Sequence, residues 1–483
     1  NIGKGGVELK GSMSIPSGML FKVDKGSNPG KNFITNGLLT LEAGSNMCPS
    51  STDKDDLKYI SGDVTIEQTG SSLNYKYNVW SSPIQTASLS TIFTGVPAAD
   101  IYQFTDGDTY SNATGNMKLG RGYFVVGNAT STRRFSGKIN YGNIIVNTTS
   151  DSWILLGNPY PGMLNLFTFH ATNKLLLNST YYFFVDDNSG GTGYTSDDYA
   201  TYNATSLTGV AANGSSAPTG NVPSCQGFFN DAHNMGSVNF FESHLSGKTH
   251  AMQSFYKQSP GYGRIWINLF DSDSNFSEMA IVYGDSFLIG QDDGDSKKKL
   301  INGTMSIHNY LNQTPYVIQA YPSLTANQVI DLGVITHDAS IYDISIKKHE
   351  NLPLGTNFIL EDVDSNIMHD LSTGPYSVLL PKDSITGRFF LHIQPLTTDN
   401  SSDVKGRSDL VSCYYNSGMI FINGIKNLNN IESVSVYDLS GRLKYFEKIS
   451  STSYKHMVPY NVKGINIVQI RTKTGIIYKR IFI

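Results

Sequence analysis

Apolar residues in this chain recur two apart in short runs, and most runs end on Gly, Pro, Asn or Asp. A period of two sends alternate side chains to opposite faces of a strand, and those end residues supply turns. No long stretch carries the 3.6-residue period of an amphipathic helix. The nearest is Asn165 to Leu177, with apolar residues at 166, 167, 169, 171 and 175–177, which predicts one short helix. The core must therefore be built from sheets. Trp153-Ile-Leu-Leu156 is apolar throughout, which predicts a strand covered on both faces and hence two packed sheets.

At 483 residues the chain exceeds one ordinary domain. Aromatic residues make up 11% and charged residues 16%, a balance that favours ordered sheet over disorder. The net charge of −4 argues against a nucleic-acid partner, which selects basic faces. Lys297–Lys299 and Arg133–Arg134 are short basic clusters that read as solvated loops. Cys48, Cys225 and Cys413 are too few and too far apart for a disulfide framework. Buried thiols are expected, with one long-range bridge as the alternative. No run reaches the roughly 18 apolar residues of a membrane-spanning helix. The opening, Asn1-Ile-Gly-Lys-Gly-Gly-Val7, reads as the interior of a longer precursor whose signal stands upstream.

Four segments follow from the turn and strand signals. Residues 1–75 hold short apolar stretches at irregular intervals, read as the last coils of a β-solenoid stalk or as an edge sheet, without a repeat period. Residues 76–258 and 259–397 each read as a β-sandwich, with 188–219 as Gly/Ser/Thr/Asn-rich surface loop. Polar residues from Thr397 to Arg407 link these blocks to a terminal module, residues 398–483. The expected fold class is all-β: tandem β-sandwich or jelly-roll-like domains ending in an immunoglobulin-like domain.

In that last module Val434/Val436, Ile465/Ile467 and Val468/Ile470 sit two apart, with a slip of phase between Ile467 and Val468. The elements Tyr437-Asp-x-x-Gly-Arg442 and Lys463-Gly-x-x-x-Val-x-Ile470 resemble the C-terminal sorting domain (type A) of type IX secretion cargo from Bacteroidota. The resemblance implies an export signal read by the outer-membrane translocon and its shuttle protein. Gly441, Arg442, Lys463 and Gly464 are the candidate recognition residues, in turns and at strand edges suited to β-augmentation. An immunoglobulin-like module with no export role is the alternative. Upstream, Trp80-Ser-Ser-Pro-Ile84, Leu119-Gly-Arg-Gly-Tyr-Phe-Val125, Leu156-Gly-Asn-Pro-Tyr-Pro161 and Gln226-Gly-Phe-Phe229 resemble a region of large Bacteroidota surface proteins. Those relatives are mostly adhesin-like and supply no catalytic residues to carry over. Physically, Gly157 to Pro161 reads as a structural corner, and Gly120-Arg-Gly122 as a bend around a packed Tyr123. Trp80, Trp153 and Trp266 read as core packing, with a sugar-stacking platform as the rival.

Asp271-Ser-Asp-Ser-Asn275 sets oxygen ligands on alternate residues, so Asp271, Asp273 and Asn275 are candidates for an irregular Ca2+ site. Phe276, where a calcium loop needs glycine, excludes an EF-hand. His233, His244 and His250 lack ligand spacing and read as exposed loop residues. Patterns for a serine-hydrolase elbow, a zinc protease or a Walker loop are absent, so nothing positive indicates an enzyme. Asp383-Ser384-Ile385 resembles the short Bacteroidota O-glycosylation signal, with Ser384 as acceptor. The functional expectation is a secreted or cell-surface structural or adhesin-like protein of the Gram-negative outer membrane. Its partners would be the export machinery and surface glycans or other surface proteins. Two rivals stand beside it: the accessory and export portion of a larger secreted hydrolase, and a carbohydrate-binding module using aromatic residues of block 76–258.

Overall fold

The computed structural model describes residues 7–23, 33–49, 56–73, 76–107, 109–129, 131–186, 198–247, 261–299, 305–311, 313–325 and 327–395. In the tail it describes 411–416, 419–424, 431–438, 441–449, 455–460, 462–463, 465–472 and 475–482. Strand accounts for 55% and helix for 6%, so the chain is all-β. It divides into two compact units, one of Asn1–Leu324, Ile330–Pro353 and Phe358–Leu391, the other built mainly from His392–Ile483.

The first unit opens with parallel coils. Val7–Glu8 pairs with Phe33–Ile34 and that with Ile60–Ser61; Met13–Ile15 pairs with Leu39–Leu41 and that with Val64–Thr69; Leu20–Val23 pairs with Asn46–Pro49. Partners lie 26 residues on in the first coil (Val7 to Phe33, Met13 to Leu39, Leu20 to Asn46) and 27 or 25 in the second (Phe33 to Ile60, Leu39 to Val64). The parallel pairing makes these coils a short β-solenoid. Its repeat rests on single-residue ladders, Ile15 over Leu41 over Ile66 and Met13 over Leu39 over Val64, too sparse to mark a period in the sequence. Ile60–Ser61 and Val64–Thr69 belong to different sheets, and Gly62 at φ +91° turns the chain between them. Thr132–Gly137 lies antiparallel along Val64–Thr69 and ends that one of the three sheets. Side chains also tie the coils to the next block: Asn46 donates to Ser246 O at 2.8 Å, and Glu242 accepts from Leu57 N at 2.9 Å. One apolar core runs from Ile15 to Phe240, across the boundary drawn at residue 75.

Beyond the coils two sheets face each other. The first is ordered Thr109–Asn112, Ile101–Thr105, Tyr123–Val126, Tyr77–Trp80; the second Trp153–Gly157, Gly227–Ala232, Leu177–Phe184, Tyr199–Asn203, Thr208–Val210. Phe104, Phe124, Tyr182, Phe184, Tyr199 and Phe229 fill the space between them, with Tyr77, Tyr102 and Trp153 at its margins. Leu155 enters this aromatic layer while Ile154 and Leu156 enter the other core, as a two-faced strand requires. The expected helix is Leu166–Asn173, capped by Asn165, which accepts from Thr168 N at 3.1 Å. Of the loop expected over 188–219, residues 188–197 lie outside the described residues, and the remainder is corrected: Tyr199–Asn203 and Thr208–Val210 are buried strands. Their polar groups are satisfied internally, Asn203 donating to Asp293 O and Asp295 O at 3.0 Å each. The Gly157–Pro161 run is a buried corner. Asn158 donates to the carbonyls of Gly162, Val222 and Pro223 at 2.7, 3.0 and 3.0 Å, and Tyr160 donates to Gly142 and Phe240 at 2.6 and 2.7 Å.

From Gly263 onward ten strands form one continuous sheet, with Ser296–Lys297 paired beside it, rather than the two facing sheets expected for 259–397. The path begins at Ile367–Asp370 and ends at Tyr376–Leu380. It curls until side chains join its ends: Tyr376 donates to Asp362 at 2.8 Å and packs its ring against His369, 5.5 Å between centroids. Asp362, 1% exposed, also accepts from Arg388 at 2.9 and 2.8 Å.

The second unit's tail is a small sandwich of a three-stranded and a four-stranded sheet. Ile420, Ile422, Val434, Val436, Val458, Val468 and Ile470 share its core. The phase slip resolves at Asn466, 1% exposed, which takes a core position ahead of Val468 and Ile470. Its buried amide is satisfied by Tyr460 Oη at 2.9 Å and Val462 O at 3.1 Å.

Candidate functional site

A groove of about 650 Å³ opens beside Tyr77. That volume lies within the roughly 300–1,000 Å³ of small-ligand pockets. Its walls come from the turn after Val64–Thr69, the strand Tyr77–Trp80, the end of Leu177–Phe184 with Asp186, and the loop 216–226. Side chains fix these walls: Asn78 Oδ1 accepts from Ser71 N, and Asp186 Oδ2 from Tyr77 N, both at 2.9 Å. Gly70 admits close contact, since a Cβ there would stand 2.6 Å from the Trp80 ring. Tyr77 and Phe183 line the groove half-buried, while Trp80 is 4% exposed beneath it. Among the described lining residues Lys76 and Asp186 carry charge, and amides and hydroxyls of Gln68, Asn78, Gln226, Ser216 and Thr219 supply further polarity. Burial, then Tyr102, Asp100 and Asp186, push the Tyr77 phenol up to about 12, so it stays protonated at neutral pH.

At Trp153 the aromatic layer is covered by the chain itself. Lys299 Nζ stands 4.2 Å from the Trp153 ring, 4.4 Å from Tyr199 and 5.1 Å from Phe229. Burial raises the carboxyl of nearby Asp231, and the charges of Lys297 and Lys299 pull it back. The solvated-loop reading of the basic clusters is therefore corrected in part: Lys297 and Arg134 are exposed, whereas Lys298, Lys299 and Arg133 are packed. Lys298 donates to Ser277 at 3.3 Å; Arg133 is 4% exposed on a strand with its guanidinium over Phe93, and Arg134 pairs with Glu67 at 2.7 Å. A second groove, of about 410 Å³, contains Arg121, which is held by Asp106 and by Asn147 O at 2.6 Å.

Asp271, Asp273 and Asn275 meet in the hairpin turn between Gly263–Phe270 and Phe276–Tyr283. Asp271 Oδ1 accepts from Asp273 N and Asn275 N at 2.9 and 2.8 Å, and its Oδ2 from Asn275 Nδ2 at 2.9 Å. These oxygens serve an Asx turn, with Ser274 at φ +67°. Among the described residues, no group of three or more His, Cys, Asp or Glu is placed to hold a metal. His244 is corrected from exposed to buried, 3% exposed and 2.9 Å from Thr172 Oγ1. His233 is exposed, and His250 lies outside the described residues. Ser384 is exposed at the start of Ser384–Gln394. Cys48 and Cys225 are buried free thiols, pushed up to about 11 and about 12 by burial; Cys413 is free and half-buried.

In the tail, Gly441 and Arg442 are exposed in the turn after Ile431–Asp438. Asp438 organises it, accepting from Arg442 N at 3.0 Å through its carboxylate and from Gly441 N at 2.9 Å through its carbonyl. Gly441 has φ +79°, which only glycine adopts without strain. Lys463 is exposed just before Ile465–Thr472; Gly464 lies outside the described residues. Asp438 pairs with Asn466, so the turn and Lys463 come to one end of one sheet. The groove itself escaped sequence reading, because its residues come from four separate segments; only the aromatic richness of block 76–258 pointed there.

Residues 9–393 match a family described as a domain of unknown function, DUF8693. No curated protein matches significantly. Among solved structures the chain is similar to one titled "Biofilm associated protein - BSP domain", at 10% identity and a TM-score of 0.18, over 84% of this chain and 59% of that one. The chain thus spans less than two thirds of that structure's length.

Proposed function

The chain belongs to the DUF8693 family, and we propose that it is a secreted, adhesin-like protein of the Gram-negative cell surface, exported through the type IX system. Residues 398–483 are its export signal, read by the translocon and its shuttle protein. The observation that carries this reading is the meeting of Gly441, Arg442 and Lys463, all exposed, at one end of the sheet that joins Ile431–Asp438 to Ile465–Thr472. Two sequence-distant elements then offer one compact surface, with a turn conformation fixed by Asp438. Upstream, a solenoid fused to buried sheets supports a structural rather than a catalytic role.

The test is surface display in a type IX-competent host. Removal of residues 403–483 abolishes display, and Arg442→Ala with Lys463→Ala reduces it while the purified double variant melts as the parent does. Display of the truncated chain at the parental level refutes the export role.

A further inference from the structure

We propose that Lys347 and Asn268 join through their side chains in an intramolecular amide, with Glu278 carrying the protons of the reaction. This is a covalent modification of the chain by itself, and it stands independently of the export reading. Asn268 lies on Gly263–Phe270, the middle of three adjacent strands. Its direct partner on one flank is Glu278 of Phe276–Tyr283, and on the other Ser345 of Ser340–Glu350. Residues directly opposed in an antiparallel pair set their Cβ atoms about 4.5–5.5 Å apart on one face, so the Glu278 carboxylate and the Asn268 carboxamide are neighbours. On the far flank the register shifts between Trp266 and Ile267, and Lys347 is the extra residue of that bulge. Its ammonium reaches Glu278 Oε2 at 2.5 Å. The strand of Asn268 stands between the two strands that carry this pair, and adjacent strands are about 4.8 Å apart. The Lys347 side chain therefore crosses that strand, on the face that Asn268 shares with Glu278.

The surroundings suit acyl transfer. Glu278 is 1% exposed and held at both oxygens, Oε1 accepting from Ala211 N at 2.9 Å and Oε2 from Lys347. Asn268 is 4% exposed, and its Oδ1 has no hydrogen-bond partner among the described residues. A buried carbonyl in that state is open to a donor as charge develops on it. Lys348, the next amine along, is engaged elsewhere, over the Trp266 ring at 3.9 Å and on Glu350 at 3.1 Å.

In the reaction a proton passes from the Lys347 ammonium to Glu278. The Nζ lone pair then forms a bond to Asn268 Cγ while Glu278 donates to the carbonyl oxygen. The Cγ–Nδ2 bond breaks as Nδ2 takes up a proton and leaves as ammonia. Of the three ammonium protons, one stays on the new amide, one departs with ammonia and one remains on Glu278. No oxidant or further reactant is consumed. Holding amine, amide and proton carrier together supplies the proximity and acid–base assistance that so slow a reaction needs. The bond closes the chain from residue 268 to residue 347 into a loop, so the two strands stay tethered when their hydrogen bonds open.

The intact mass of the purified full chain, after prolonged incubation, is expected to lie one ammonia below the mass of the sequence. Tandem mass spectrometry of a digest should then show a branched peptide joining Lys347 to Asn268. Lys347→Arg keeps the charge and abolishes both signs. Glu278→Gln, with far-UV circular dichroism unchanged, loses the branched peptide; should it unfold, the parent and Lys347→Arg decide. A parental mass equal to that of the sequence overturns the proposal. So does ammonia loss without the branched peptide, or a branched peptide at the parental level in folded Glu278→Gln.

Discussion

Asp362 closes the ten-strand sheet, and its neutralisation tests whether that closure is electrostatic. Burial alone would raise its carboxyl, but hydrogen bonds from Arg388, Tyr376 and Ser365 overcome it and hold the group at about 2, below the ordinary 3.8. A shift of this size corresponds to about 2 kcal/mol of stability at neutral pH. The sign follows from the depressed value: the contribution is complete above about pH 4 and is lost as pH falls through about 2. Asp362→Asn keeps shape but removes the charge that faces the Arg388 guanidinium at 2.8 Å. The expected cost at pH 7 is about 2–3 kcal/mol, and removing one partner of a buried pair outright by Asp362→Ala costs about 3–5 kcal/mol. Tyr376→Phe, which deletes one donor, costs about 1 kcal/mol. Denaturant unfolding followed by emission from Trp266, on the same sheet, reads these differences. The gap between parent and Asp362→Asn should narrow as pH falls from 4 towards 2. A gap that stays constant from pH 7 to the acid limit refutes the assignment.

Lys299→Ala removes the ammonium enclosed by Trp153, Tyr199 and Phe229; a loss of about 1–2 kcal/mol and a shift in tryptophan emission are expected. An unchanged melting curve and spectrum would contradict a closed cage. Ser384 is proposed as an O-glycan acceptor; intact mass after export should fall by the glycan increment in Ser384→Ala, and equal masses remove the proposal. Millimolar calcium should leave the melting temperature unchanged, because turn donors already occupy Asp271. A rise abolished by Asp273→Asn would instead establish Asp271, Asp273 and Asn275 as ligands.

Strand content and much of the tail were legible because their apolar residues alternate cleanly, as Val434 and Val436 do. Trp153–Leu156 even disclosed two-sided burial, since each face of that strand meets a different core. Other features were hidden for identifiable reasons. The Tyr199–Asn203 strand resembles loop because its polarity is satisfied by long-range partners such as Asp295, which local composition does not register. Arg133 and Lys299 look solvated because charge in sequence says nothing of a ring waiting elsewhere in the fold. A coil repeat of one or two apolar positions, as at Ile15 and Leu41, falls below any periodicity that a linear scan can register. The turn at Gly441 was readable because its φ of +79° calls for glycine, whereas Arg442 enters it through its backbone N–H alone.

The antiparallel strand Thr132–Gly137 gives the coil stack a polarity. Its amides and carbonyls occupy the partners that another parallel turn would require on that side. In that one of the three coil sheets the ladder is terminated on that side, so a further parallel turn could add there only by displacing Thr132–Gly137.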